Sequence, residues 1–273
     1  MQVPAPETSV FPTPMEKSRL LAVIRGHLAA CRVDRSQPVL VVGGRQEDLE
    51  ILSACGFERI LLTNLDASAS AALDAENIAL PDDSFPVVFA HDVLHHCRSP
   101  QKAVGEMVRV SQKHVFFAEP NDSLTLRVLV GLGFSFPYEI AAVVDNGYTC
   151  GGMRNGPVPN YFYRWTGREV EKSVYTYHPE RQFHIRACPY WDFDATEDEL
   201  LARKQTLVSP LAAKLGPRNL LSLLYFGQRV LNLLPFLRSQ GNKFFCAISK
   251  RELQPWIETR EGQYLLKKKS SGH

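Results

Sequence analysis

The chain has 273 residues, with 31 Lys and Arg set against 29 Asp and Glu for a net charge of +2. Its 45% hydrophobic and 22% charged content suits one large globular domain, or one domain with a sizeable insertion. This charge balance gives no electrostatic case for a nucleic-acid partner, and no uncharged apolar run reaches the roughly 18 residues that would span a membrane. The six cysteines, Cys31, Cys55, Cys97, Cys150, Cys188 and Cys246, are scattered and never form CxxC. They read as reduced thiols rather than a zinc site or a disulfide framework. The N-terminus lacks the basic-then-apolar pattern of a signal peptide, so the expected location is the cytoplasm.

Residues 1–14 hold four prolines and read as an irregular lead-in. From Met15 to Val33, the apolar residues Leu20, Leu21, Val23, Ile24, Leu28 and Ala29 recur at helical spacing. Val39–Val42 is a short, wholly apolar run, as expected of a central parallel strand covered on both faces. Gly43-Gly44 makes a turn, Gln46–Gly56 reads as a helix, and Ile60–Leu62 as the next strand. That crossover has the length of a βαβ unit. Ser68–Ala72 is expected as a short helix. Val87–Ala90 and Val115–Ala118 read as strands around a helix over Gln101–Val110. This alternation argues for an α/β fold with right-handed crossovers.

The alternation then stops. Leu124–Val144 is apolar but interrupted by Gly131, Gly133 and Pro137, and Asp145–Pro159 reads as a loop or lid. Tyr161–Trp165 is an aromatic cluster. Thr166 and Glu169 form a capping box for a helix to about Tyr175. Gln182–Cys188 and Lys243–Ser249 read as strands. Asn219–Leu237 is a strongly apolar helix, or a pair broken near Pro235. It could cover a pocket, form a homodimer face or touch a membrane surface, with a packed helix as the first choice. The domain is therefore placed at 15–250. Insertions at about 121–178 and 191–241 would form a substrate cover, and 251–273 a C-terminal tail.

Polar groups collect just after the apolar runs, where a parallel sheet forms its ligand crevice. Gly43 and Gly44 let a ligand approach the backbone at a helix N-terminus. The dinucleotide pattern G-x-G-x-x-G is absent, which counts against NAD or FAD. Asn64 and Asp66 end the second strand, where a polar group can hold ribose. Asp74, Ala75 and Glu76 could read an adenine edge. Each element also has a plain structural reading as a tight turn, a strand end or a solvated loop.

Together they resemble a known family. Asp74-Ala75-Glu76-Asn77-Ile78-Ala79-Leu80-Pro81-Asp82-Asp83-Ser84-Phe85-Pro86-Val87-Val88 is similar to the D-A-E-x-L-P-F-x-D-x-S-F-D-x-V signature of class I S-adenosylmethionine (SAM)-dependent methyltransferases of the type 11-like group. The likeness continues through His91-Asp92-Val93-Leu94-His95-His96, Glu106–Val110 and Phe117–Pro120. It covers about residues 38–122. The resemblance implies a Rossmann-like, seven-stranded, mostly parallel sheet in the order 3-2-1-4-5-7-6, with strand seven antiparallel. It implies SAM as cofactor. Gly43 and Gly44 would border its methionine, Asn64 (with Asp66 as a substitute) its ribose, Asp74, Ala75 and Glu76 its adenine, and His91 its sulfonium. The sequence departs from the family where Val41 replaces an acid, where the glycine loop is Gly43-Gly44-Arg45-Gln46-Glu47, and where Asn64 replaces the strand-two acid. Glu47 or Asp48 could compensate for the first loss.

Imidazole titrates near neutral pH. One of His91, His95 and His96 could therefore take a substrate proton, with Asp92 orienting it; the alternative is a packing and capping role. No metal site is expected, because consecutive histidines at a helix start should diverge. Tyr138, Arg154, Asn160, Tyr161, Tyr163 and Trp165 are the expected substrate-binding residues, aromatic walls with sparse polar groups suiting a small molecule. The leading function is SAM-dependent methyl transfer to a small-molecule acceptor, most readily at oxygen. The alternatives are a SAM-fold protein that binds SAM without methyl transfer (cyclase or eliminase chemistry) and a non-catalytic partner subunit.

Overall fold

A computed structural model describes residues 19–65, 70–193, 197–202 and 206–267. The run Val39–Val42 (β1) is buried at every position, as a strand covered on both faces must be. Around it lie Ile60–Asn64 (β2), Ala71–Ala72 (β3), Phe85–His91 (β4), Ser111–Pro120 (β5), Arg181–Tyr190 (β6) and Lys243–Leu253 (β7). They form one sheet in the order β3-β2-β1-β4-β5-β7-β6. β1, β2, β3, β4 and β5 run parallel, while β7 is antiparallel to both β5 and β6. This is the sheet the family resemblance implies.

Helices cover both faces. Arg19–Ala30 (α1) and Gln46–Ala54 (α2) pack Leu20, Ile24, Leu28, Ile51 and Leu52 against Val39, Val41 and Phe89. On the opposite face, Pro100–Val110 (α3) and Gly167–Tyr177 (α6) pack Val104, Met107, Val170 and Val174 against Leu40, Val42 and Val88. Ser99 caps α3 by accepting from the Lys102 amide. Thr166 and Glu169 form the capping box expected for α6.

Two insertions rise from the sheet. Leu124–Gly131 (α4) and Ile140–Asp145 (α5) follow β5. Glu197–Ala202 (α7), Val208–Leu215 (α8), Pro217–Leu233 (α9) and Pro235–Ser239 (α10) follow β6, with a small core of Leu200, Ala212 and Leu220. The break at Pro235 falls where the sequence places it.

Three expectations need correction. Residues 71–72 form a strand rather than a helix end, because they continue the sheet beside Thr63 and Asn64. Ser68 and Ala69 lie outside the described residues. Second, α9 is packed along one side only, through Leu220 against Leu200 and Ala212. Its inward side carries Gln228, which accepts from the Phe193 amide, and Asn232, which bonds Trp191. Leu223, Phe226, Val230 and Leu233, spaced 3, 4 and 3 apart, are exposed. Finally, the expected tail contains a hairpin of Ile257–Arg260 (β8) and Gln263–Leu266 (β9). Its two-residue turn, Glu261-Gly262, has φ of 48° and 79°, the positive pair that a tight hairpin turn requires. The expected lead-in at 1–14 lies outside the described residues. Among the described residues, no helix is long and apolar enough to cross a membrane.

Candidate active site

The parallel strands end at a cleft of about 480 Å³. Gly43, just after β1, forms its floor with φ of 66°. A Cβ there would lie 2.1 Å from Val93 Cγ2, so only glycine allows this turn beneath the β4 loop. Gly44 does not line the cleft. Its missing side chain lets the turn pack on Val41 and Leu62, where a Cβ would sit 2.4 Å from Leu62 Cδ1. Asn64 reaches the rim, but its amide donates to Gly44 O at 3.3 Å and its Oδ1 accepts from the Leu65 amide. Asp66 lies outside the described residues.

One side of the cleft is Asp74, Ala75 and Glu76. Asp74 Oδ1 accepts from the Glu76 amide at 2.9 Å, which fixes the turn. Glu76 accepts from the amides of Arg98 and Ser99, tying this loop to the start of α3. Arg154 reaches across to both acids, at 2.7 Å from Asp74 and 3.0 Å from Glu76. Burial raises the cost of charge on Asp74, but Arg154 and the Glu76 amide outweigh it and hold its carboxyl below the usual range.

At the end of β4 the chain turns sharply, with Asp92 at φ of 47°. This places Asp92 in the cleft wall beside Lys243, 2.7 Å away. His91 stays behind the wall and does not line the cleft, contrary to the sulfonium contact expected of it. It is 7% exposed, with Nδ1 at 2.8 Å from Asp48 and Nε2 at 3.4 Å from Asp92. Burial disfavours its charge, but the two acids more than compensate and its pKa is raised. Asp48 is fully buried by this bond and by accepting from the Arg45 amide, so it does not face a ligand. In Asp92, burial opposes charge while Lys243 and His91 favour it, and the carboxyl is held far below its usual range.

The opposite wall is a network centred on Glu119, at the end of β5. Its buried carboxylate accepts from the amides of Val93 and Leu94 and lies 2.6 Å from His95 Nδ1. Residues Leu94–His96 form one 3-10 turn, which sends both histidines toward Glu139. His95 Nε2 is 3.4 Å and His96 Nε2 is 3.3 Å from Glu139 Oε2. The expected divergence of these histidines is therefore not found: their rings are 4.6 Å apart and tilted by 35°. The tight turn, not an α-helix, sets their directions. Burial lowers the His95 pKa, but Glu119 and Glu139 dominate and push it up to about 10. Burial and the neighbouring His95 lower that of His96. Of the four expected catalytic residues, Asp92, His95 and His96 line the cleft and His91 does not.

The expected substrate residues separate. Arg154 lines the cleft, whereas Tyr138, Asn160, Tyr161, Tyr163 and Trp165 do not. Tyr138 and Tyr161 pair edge-on at 5.3 Å and are about half exposed. Asn160 is buried, and its carbonyl accepts from the Glu139 amide. Tyr163 donates to Glu169, and Trp165 is core, 5.5 Å from Phe117. The cluster fills space under the insertion because its alternate rings face the α3–α6 layer; Phe162 is its member in the cleft. Sequence reasoning gave no site role to Lys243 or Glu119, while Glu139 and Phe162 stand among the groups it expected in the substrate cover. For Glu119, the only signal was an acid at the end of a strand.

The sheet order and the cleft at its carboxyl ends define a class I, Rossmann-like SAM-dependent methyltransferase fold. A methyltransferase domain is recognised by its family model over residues 45–118. No curated protein matches the chain by sequence. Solved structures similar to it include magnesium protoporphyrin IX methyltransferase from Synechocystis PCC 6803 with bound SAH, at 10% identity. That match covers 85% of this chain and 82% of the other, with a TM-score of 0.46. An S-adenosylmethionine-dependent methyltransferase from Mesorhizobium loti is 10% identical over 87% of this chain and 100% of the other, with a TM-score of 0.44. A chain of the Haloferax volcanii complex between the Trm112 methyltransferase activator and a methyltransferase is 11% identical, over 86% and 90%, with a TM-score of 0.45.

Proposed function

We propose that this protein binds SAM in the cleft and transfers its methyl group to a small-molecule acceptor, at oxygen. The observation that carries the reading is the juxtaposition of Gly43, Asp74-Ala75 and the β4 end in one cleft at the carboxyl edge of the sheet. SAM is the cofactor of this domain class. Its adenine lies against Asp74 and Ala75, with Arg154 closing over that side, and its ribose at Asn64. The Asp92–Lys243 pair suits the zwitterionic end of methionine, the carboxylate facing the ammonium and the ammonium of Lys243 the carboxylate. This pair takes the part that the missing acid at Val41 would play.

The acceptor lies against His95, His96, Glu139 and Phe162, where polar and aromatic groups meet. Its oxygen forms a bond to the methyl carbon as the carbon–sulfur bond breaks, and S-adenosylhomocysteine (SAH) leaves. The acceptor proton is lost at this polar wall. Alignment and water exclusion supply most of the rate, as in other two-substrate transfers. The test is incubation with methyl-labelled SAM and fractionated small-molecule extracts. Label in an alkali-stable ether, with matching SAH release, supports the reading. Label that stays in SAM with every fraction, or that appears in methylthioadenosine with no SAH released, overturns it in favour of a SAM-binding protein without methyl transfer.

A further inference from the structure

We infer that His95, His96 and Glu139 form a binding site for one divalent transition cation of the zinc type, at the acceptor end of the cleft. The ligand atoms would be His95 Nε2, His96 Nε2 and Glu139 Oε2, which all lie within 4.8 Å of one another. The two nitrogen-to-oxygen separations are 3.4 and 3.3 Å. Bonds of about 2.05 Å at a tetrahedral angle put neighbouring ligand atoms about 3.3 Å apart. The spacing is thus that of two edges of a zinc tetrahedron, and it is long for a directed hydrogen bond.

The surroundings fit the same reading. His95 is 2% exposed, and its Nε2 and the Oε2 of Glu139 are buried atoms without a hydrogen-bond partner. On the far side of each ring, Nδ1 is already engaged, for His95 by Glu119 at 2.6 Å and for His96 by the Gly152 carbonyl at 3.2 Å. A carboxylate or carbonyl behind the ring fixes Nδ1 as the donor, and Nε2 of His95 takes the metal by giving up the proton it carries in the metal-free protein. Glu119 and Glu139 together give the site the negative field that a cation needs. Two histidines and one glutamate are also a ligand set that leaves a fourth position open, here toward the cleft.

The inference rests on the proposed methyl transfer only for its use. A hydroxyl of the acceptor, bound at the fourth position, would lose its proton to water in the cleft more readily and meet the SAM methyl as a stronger nucleophile.

The experiment titrates chelator-treated, full-length protein with ZnCl2 by calorimetry and with Co(II) by visible absorption. One equivalent should bind, with the intense d–d bands of a four-coordinate cobalt site. Glu139→Gln and His96→Ala should each weaken Zn(II) binding by more than the roughly 10–100-fold that outer-shell changes cost, and Glu119→Gln by about that 10–100-fold. Far-UV circular dichroism confirms that each variant is folded, and Glu139→Gln serves if the histidine variant is not. Absence of saturable binding overturns the inference. So does Zn(II) binding that Glu139→Gln and His96→Ala leave unchanged, because the cation then sits elsewhere. SAH is titrated into the same samples: failure of SAH to bind overturns the cofactor reading and leaves the cation result standing.

Discussion

Replacing Glu119 with alanine should destabilise the protein severely. Its carboxylate is 0% exposed and holds three donors: the Val93 amide at 2.8 Å, the Leu94 amide at 2.7 Å and His95 Nδ1 at 2.6 Å. Val93 is half-buried and its amide can regain water. Leu94 and His95 are buried, so two donors lose their partner outright. At about 1–3 kcal/mol for each buried unsatisfied group, the loss is about 2–6 kcal/mol. That is a large part of the roughly 5–15 kcal/mol by which domains are stable. With a urea slope of about 3 kcal/mol per molar, the midpoint should fall by about 0.7–2 M. Glu119→Gln keeps an acceptor and should lose less than half as much. The assay is equilibrium urea unfolding at pH 7.5, followed by circular dichroism. If Glu119→Ala unfolds within about 0.2 M of the parent, the network is not what holds the Val93–His96 turn.

Other substitutions probe other parts of the cleft. Gly43→Ala should cost on the order of 2–4 kcal/mol, from its positive φ and the 2.1 Å approach to Val93, and should weaken SAH binding; Gly26→Ala, with nothing within 4 Å, should be neutral or stabilising in the same thermal melts. Asp74→Asn should weaken SAH by about 10–150-fold, as expected if a hydrogen bond to a charged group worth about 1.5–3 kcal/mol is lost, and unchanged affinity in calorimetry would remove Asp74 from the adenine site. Burial, with Lys113 and Arg251 adding to it, lowers the His114 pKa from 6.5 to about 4. The unfolded chain therefore binds a proton that the folded one refuses. Stability should fall as pH drops from 6.5 toward 4 and change no further through this group below that. His114→Asn should flatten that part of the pH–stability curve, and an unaltered slope would refute the assignment.

The sheet was legible because its strands are unbroken apolar runs separated by crossovers of fixed length, and because the Asp74–Val88 stretch is distinctive. The cleft was legible in part for the same reasons: Gly43 and Asn64 stand at the ends of apolar strands, and Asp74, Ala75 and Glu76 open the distinctive stretch. What was hidden depends on partners distant in sequence. Nothing local to His95 reveals Glu119, 24 positions on, or Glu139 beyond it. Nothing near Asp92 reveals Lys243, 151 positions away. His91 follows an apolar strand toward the crevice, yet Asp48 draws it behind the wall. In α9 both sides hold apolar residues, so periodicity cannot say which side faces in; Gln228 and Asn232 decide it through bonds to Phe193 and Trp191. Tyr163 and Trp165 look like pocket walls in sequence, but the capped start of α6 turns them into the core.

The central claim is that the cleft bounded by Gly43, Asp74 and the β4 end holds the adenosyl cofactor. Isothermal calorimetry of the purified protein with SAH tests it most directly. One molecule should bind per chain with micromolar affinity, about −8 kcal/mol, and Asp74→Asn should weaken it. No heat of binding at millimolar SAH would contradict the account.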